Sequence, residues 1–242
     1  NPTIYHYNEG HAAFAGLERL RECMREKQLS FAESMELIRA SGLFTTHTPV
    51  PAGHDAFTED LLGRYIGNYP QAIGIDWRTM MSLGKVNPDD HGEEFSMSFL
   101  AANMSQNVNG VSMLHGAVSR EIFSRMYPGY LPEELYISYV TNGVHYPTWA
   151  SRDWKLVHAD VFGEEFKTHH YDKSCFSGIY NVPDKKVWET RTALKKELIG
   201  AIRDRLSDPL QSAHYTPSQV VTIKERLRDA VITIGFARRF AT

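Results

Sequence analysis

The sequence predicts an α/β fold with a few parallel strands and a majority of helix. Three observations lead there. Short β-branched or aromatic runs stand at residues 3–7, 43–47 and 136–141, each runs into a polar stretch, and helix-patterned segments separate them. "TIYHY" (3–7) reads as the first strand and stops at the turn Asn8-Glu9-Gly10. "HAAFAGLERLRECMREK" follows, with Ala13, Leu17, Leu20 and Met24 at helical spacing. Ser30 and Glu33 form a capping box ahead of "FAESMELIRAS", a second helix that Gly42 is expected to close. "LFTTH" (43–47) is the second strand.

The next stretch, "FTTHTPVPAGHDAF" (44–57), cannot be one helix. Pro49 and Pro51 lock φ and lack an N–H, and Gly53 admits backbone angles that other residues avoid, so a shaped loop is predicted at a strand end. Asp55 is expected to start the following helix, where a carboxylate suits the N-terminal dipole. From 55 to 130 the pattern is mostly helical. "EEFSMSFLAANMS" and "GVSMLHGAVSREIFSRM" carry apolar faces, with "QNVNG" read as the separator. "YISYVT" (136–141) is the third strand and ends in "NGVHYPTW". Residues 151–230 read as helical and more charged, with a loop near "SDPLQSAHYTP". "AVITIGFARRFAT" begins as a buried strand and ends after Arg238 and Arg239.

The 242 residues are 42% hydrophobic, 23% charged and 12% aromatic, which is globular composition for one large or two small domains. The net charge of −3 is spread along the chain, which excludes the basic face of a nucleic-acid binder. No apolar run approaches the ~18 residues of a membrane span, and no signal peptide is evident, although Asn1 is not a start methionine and an excerpted chain is expected. Cys23 and Cys175 are too few for a disulfide framework and suit a reducing, cytoplasmic setting.

The strand ends collect polar side chains: Glu9 and His11, then His47 with His54 and Asp55, then Asn142 with His145. Ligands of open parallel sheets bind beyond the carboxyl ends of the strands. A crevice with these groups suits a polyhydroxylated ligand, whose hydroxyls need matched donors and acceptors. Each group taken singly also has a purely structural reading, as a helix cap or loop support. The rival chemistry is a zinc centre drawn from His6, Glu9, His11, His47, His54 and Asp55, all legitimate ligand types. No pair shows the His-Glu-x-x-His spacing on one helix face. No Gly-x-Ser-x-Gly elbow or reactive cysteine motif supports a nucleophile. Gly110 in "VNGV" precedes a helix and would admit a phosphate or sugar close to the backbone. Arg238 and Arg239 are either solvated charges or a bidentate grip on phosphate.

Five blocks then converge. "HYNEGHAAFAGLERLR" (6–21), "FTTHTPVPAGHD" (44–55), "VNGVSMLHGAVSREIF" (108–123), "TNGVHYPTW" (141–149) and "GFARRFAT" (235–242) resemble, in order, the α-glucan phosphorylases of glycogen, starch and maltodextrin. The form of the second block is similar to the bacterial and archaeal branch. The resemblance implies an incomplete parallel Rossmann-like sheet with many helices, part of a two-lobed glycosyltransferase fold. Residues 1–147 would be the later part of the first lobe, and 148–242 the interlobe helices and first strand of the second, with the break near Tyr146 to Trp149. It implies transfer of a glucosyl unit from an α-1,4-glucan or maltooligosaccharide to inorganic phosphate, giving glucose 1-phosphate with retention. The implied parent is an allosteric, cytoplasmic homo-oligomer with no nucleic-acid or membrane partner.

The resemblance also implies roles. His47 contacts the transferred glucosyl unit, partly through its carbonyl, and Asn142 bonds that sugar's hydroxyls. Glu9 and His11 line the sugar site, and Arg239 grips the substrate phosphate. Arg238 stands where some relatives carry lysine. His54 and Asp55 are read as loop support. The family's cofactor is pyridoxal phosphate on a lysine expected beyond Thr242, so no cofactor-binding residue is expected within this chain, nor activity from the chain alone. Glycogen synthases share the two-lobed fold, but "RRFAT" beside "THTPVPAGHD" argues against them. The remaining alternatives are a zinc metallohydrolase and a non-catalytic glucan-binding module.

Overall fold

The computed structural model describes residues 2–210 and 212–236. The chain divides into two compact units, Asn1–Gly143 and Val144–Thr242.

The first unit opens with β1 (Tyr5–Asn8), a 3-10 turn at Gly10–Ala12, α1 (Phe14–Lys27), α2 (Phe31–Ala40) and β2 (Gly42–Thr45). Ser30 and Glu33 form the reciprocal capping box at the start of α2. Ala13, Leu17 and Leu20 are buried, and Met24 packs partly against the same core, so the helical spacing of the sequence sets the inner face of α1. Gly42 is the first residue of β2, and Ser41 rather than Gly42 caps α2. A Cβ on Gly42 would come within 2.3 Å of the Met104 carbonyl oxygen, so close backbone approach is what demands glycine.

There follow β3 (Ala56–Phe57), α3 (Glu59–Ile66), α4 (Tyr69–Ala72), α5 (Trp77–Ser82), β4 (Phe95–Ser96), α6 (Met97–Asn103), β5 (Asn107–Gly110), α7 (Met113–Phe123) and β6 (Ile137–Tyr139). β3 and β4 pair antiparallel on their own. Asp55 does not start a helix; its carbonyl accepts the Met97 N–H, and Thr58 caps α3 instead.

β1, β2, β5 and β6 form one parallel sheet in the order β1-β2-β5-β6. β5 lies in "QNVNG", which the sequence presents as a separator. Asn has low strand propensity, but here the buried Asn109 side chain is satisfied, accepting from the Thr45 hydroxyl (2.9 Å) and donating to the Gly110 carbonyl (3.0 Å). Tyr7, Phe44, Val108 and Ile137 carry the sheet's contribution to a core to which Leu20, Leu100, Met104 and Phe123 also belong.

The second unit is helical in its described residues: α8 (Tyr146–Trp149), α9 (Arg152–Phe162), α10 (Phe166–His169), a 3-10 segment at Lys173–Asn181, α11 (Asp184–Ser207) and α12 (Pro217–Arg226). Residues 230–236, read from the sequence as a buried strand, form none, and Ile232, Ile234 and Phe236 are exposed. A strand needs a neighbour to satisfy its peptide groups, and the described residues of this unit contain no other strand. No described helix is long and apolar enough to cross a membrane.

Candidate functional site

Because the four strands are parallel, their carboxyl ends share one edge. Hydrogen bonding continues past the strands and fixes the loops that leave it. The Glu9 N–H donates to the Thr45 carbonyl (2.9 Å), Thr46 to Asn109 (3.0 Å), Val140 to Gly110 (3.0 Å) and Asn142 to Val111 (3.0 Å). Beneath the edge, Asn109 uses its amide nitrogen on Gly110, leaving its oxygen to accept the Thr45 hydroxyl proton. The Thr45 oxygen is then the acceptor for His6 Nε2, 2.8 Å away, which assigns that ring's proton to Nε2.

Glu9 is the strained point of the edge. Its backbone sits at φ 77° and ψ 163°, a region populated almost only by glycine. Its N–H bond to the Thr45 carbonyl holds the backbone there, and its own carboxylate adds to the hold. Oε1 accepts the Gly10 N–H (3.1 Å), while Oε2 accepts the His47 N–H (2.8 Å) and the Thr48 hydroxyl (3.0 Å). The His47 ring is tied to the same loop, Nε2 lying 2.6 Å from the Asn8 side-chain oxygen. The His47 N–H and ring are both engaged, and among the described residues nothing donates to its carbonyl. Thr48 and Asn8 therefore belong to this arrangement, although the sequence singles out neither.

His11 lies in the 3-10 turn immediately after Glu9 and is exposed. Gly10 is buried against the start of α6, where a Cβ would meet Ser98 Oγ at 2.8 Å. The same Ser98 hydroxyl lies 2.7 Å from His54 Nδ1. His54 packs edge-on against Phe123 at 5.9 Å, and burial holds its pKa below the ordinary histidine value, partly opposed by the Glu9 carboxylate. It is built into the wall beneath the loop.

Asn142 follows β6 and is exposed. Two strand spacings separate β2 from β6, about 10 Å across the sheet, and His47 and Asn142 leave the same edge. His145 turns to Thr148, its Nδ1 2.7 Å from that hydroxyl, and plays a local part in α8. Gly110 does not open a path to a ligand, because a Cβ there would meet the Gly116 nitrogen at 2.8 Å and His115 Nδ1 at 2.9 Å. Its freedom serves the packing of α7 against β5. Arg238 and Arg239 lie outside the described residues.

No three of His, Cys, Asp and Glu converge on a metal-binding position among the described residues. Three of the four histidines of the suggested zinc set are spent on different partners: His6 on Thr45, His47 on Asn8 and His54 on Ser98. An aldehyde cofactor needs a lysine, and the first unit has two. Lys27 ends α1, which leads away from the site edge, and Lys85 is fully buried in an ion pair with Glu59 at 3.0 Å. Neither lysine makes a pyridoxal phosphate anchor.

Residues 2–232 match the carbohydrate phosphorylase family. The chain is 34% identical over 247 residues to the glycogen phosphorylase of Mycobacterium tuberculosis, with all of this chain and 28% of that protein covered. It is 31% identical over 245 residues to the maltodextrin phosphorylase of Thermococcus litoralis, covering 100% of this chain and 28% of that one. With the glycogen phosphorylase of Aquifex aeolicus the identity is 32% over 235 residues, covering 97% and 33%. The chain thus spans a third or less of the length of these curated relatives. With a match running through both units and a parallel sheet whose loops carry the expected blocks, the chain belongs to the carbohydrate phosphorylase family.

Proposed function

We propose that this chain supplies the sugar-holding edge of an α-1,4-glucan phosphorylase, which transfers a glucosyl unit from a glucan end to inorganic phosphate and releases glucose 1-phosphate with retention. The observation that carries the reading is Glu9. A non-glycine residue held at φ 77° by hydrogen bonds to the loop of His47 is strain kept at a strand end, where ligands of parallel sheets bind. In this reading Glu9 positions His47, and the His47 carbonyl accepts a sugar hydroxyl. Asn142 offers a donor and an acceptor to the same ring, and His11 lines the approach. Arg239 grips the phosphate. The first unit corresponds to the later part of the first lobe, and the second to interlobe helices.

The test is phosphate-dependent release of glucose 1-phosphate from maltooligosaccharides, measured on the protein carrying this sequence. Asn142→Ala removes both hydrogen-bonding groups toward the sugar. A buried sugar hydroxyl left unpaired costs about 1–3 kcal/mol, so kcat/KM for glucan is expected to fall roughly 5- to 150-fold while KM for phosphate holds. Absence of phosphorolysis, or glucan kinetics untouched by Asn142→Ala, overturns the proposal. Maltooligosaccharide binding with no turnover would favour a non-catalytic glucan-binding module instead.

A further inference from the structure

We propose that His115 is a positioning residue that sets Asn142 by fixing Val111, whose carbonyl holds the Asn142 backbone; the role rests on the reading of Asn142 given above. His115 sits in the first turn of α7, its N–H donating to the side chain of the capping residue Ser112 at 3.1 Å. Its side chain is more than nine-tenths buried. Nδ1 accepts the Val111 N–H at 3.1 Å. A ring nitrogen that accepts carries no proton, so the partners assign the proton to Nε2. On the other side of the same Cα, the Val111 carbonyl accepts the Asn142 N–H at 3.0 Å. One imidazole nitrogen therefore fixes the residue from which the Asn142 backbone hangs.

The packing makes this connection stiff. A Cβ on Gly116 would meet Tyr139 Cβ at 3.0 Å and the Ser138 carbonyl oxygen at 3.2 Å, so α7 lies directly on β6 with no side-chain layer between. Arg120 adds a bond from α7 to the Ile137 carbonyl at 3.0 Å. Helix start, strand end and the Val111 turn form one unit, and Asn142 leaves from it. The choice of residue carries the same message. His115 Nε2 is buried without a partner among the described residues. Burying an unpaired N–H is unfavourable, and a phenylalanine would fill the space without it. Histidine is explained by its acceptor, Nδ1, and that acceptor is spent on Val111.

The experiment is steady-state phosphorolysis of a maltooligosaccharide by the holoenzyme carrying this sequence, with glucan and phosphate varied separately. His115→Asn places Oδ1 where Nδ1 stands and keeps the acceptor. His115→Phe and His115→Gln do not. Misplacing a binding group by about 1 Å costs up to about 100-fold, so Phe and Gln are expected to lower kcat/KM for glucan about 10- to 100-fold, with KM for phosphate unchanged. Asn is expected to restore kcat/KM for glucan to within a few-fold of the parent. In an Asn142→Ala background, His115→Phe should add no more than about twofold, since both changes remove the same interaction. The proposal is overturned if Asn is as damaging as Phe, if the loss falls on phosphate, or if His115→Phe costs as much without Asn142 as with it. Should the Phe variant not fold, the Asn and Gln variants make the same comparison. If Asn142→Ala itself leaves glucan kinetics intact, the sugar-site reading fails first and takes this role with it.

Discussion

Replacing Glu9 by glycine and by alanine separates the strain at the candidate site from the hydrogen bonds that hold it. Both variants lose the carboxylate that accepts from Gly10, His47 and Thr48. Hydrogen bonds to a charged group contribute about 1.5–3 kcal/mol each, and those reaching toward solvent contribute less. That loss is common to the pair and cancels in the comparison. What differs is the backbone at φ 77° and ψ 163°. Alanine must bear a conformation costing about 1–3 kcal/mol, which glycine adopts freely. Against this, glycine loses roughly 0.5–1 kcal/mol more chain entropy on folding. The expected result is that Glu9→Gly is more stable than Glu9→Ala by about 1–2 kcal/mol, the reverse of the order at an ordinary position. Urea unfolding followed by far-UV circular dichroism reads the difference directly. An alanine variant as stable as the glycine variant would refute the strained geometry. Glucan kinetics should rank differently: both variants release the His47 loop, so both should be impaired even where glycine restores stability.

Two further outcomes test the fold beneath the site. Gly42→Ala drives a Cβ into the Met104 carbonyl and Ser105 Cα, at 2.3 and 2.9 Å, and backbone cannot retreat as a side-chain tip can. Its cost is expected at the upper end of the about 1–3 kcal/mol typical of overpacking, read as a lowered Tm. Glu59 receives hydrogen bonds from His91, Lys85 and Trp77, which hold its carboxyl down at about 2 against an ordinary 4.5. Because the folded state binds its proton less readily than the unfolded chain, Glu59 stabilises the fold fully above the ordinary value. That contribution is lost as pH falls from about 4.5 toward 2. Glu59→Gln should flatten this part of an acid-unfolding curve, and an unchanged curve would show that Glu59 is not paired.

The sheet and its helices were legible wherever the hydrophobic period was clean. Ala13, Leu17 and Leu20 marked the inner face of α1, and "LFTTH" marked β2, because these segments bury one side against a single core. β5 was not legible: "NVNG" has one apolar side chain, and what makes it a strand is Thr45, 64 residues away, bonding Asn109. The terminal "AVITIG" failed the other way. Its composition is that of a buried strand, but composition does not supply a neighbour to pair with. At the site, Glu9 and His47 stood out as polar residues leaving strands. Their direct bond did not, since no local pattern reveals a glutamate held in a glycine-like conformation by a loop 38 residues on. His115 was hidden for a related reason. In a helix that packs on one face, a histidine reads as filler until its Nδ1 is seen to accept the Val111 N–H.

The polar groups beneath the edge do something that apolar packing cannot. Alternation along a strand decides which face is buried, and a slip by one residue is penalised because it exchanges the faces. A slip by two restores them, so the hydrophobic pattern alone barely resists it. Here β1, β2 and β5 are joined by His6, Thr45 and Asn109 in one hydrogen-bonded row, and Asn109 reaches on to the Gly110 carbonyl that also accepts Val140 beyond β6. Moving β5 by two residues would break the bond from the Thr45 hydroxyl to Asn109 and leave the Asn109 side-chain oxygen buried without its donor, at about 1–3 kcal/mol. That resistance ties the strand ends to one another, and the loops of Glu9, His47 and Asn142 begin only one to three residues past them. Fixing the register therefore fixes where the proposed sugar-site groups start, before any of them touches a ligand.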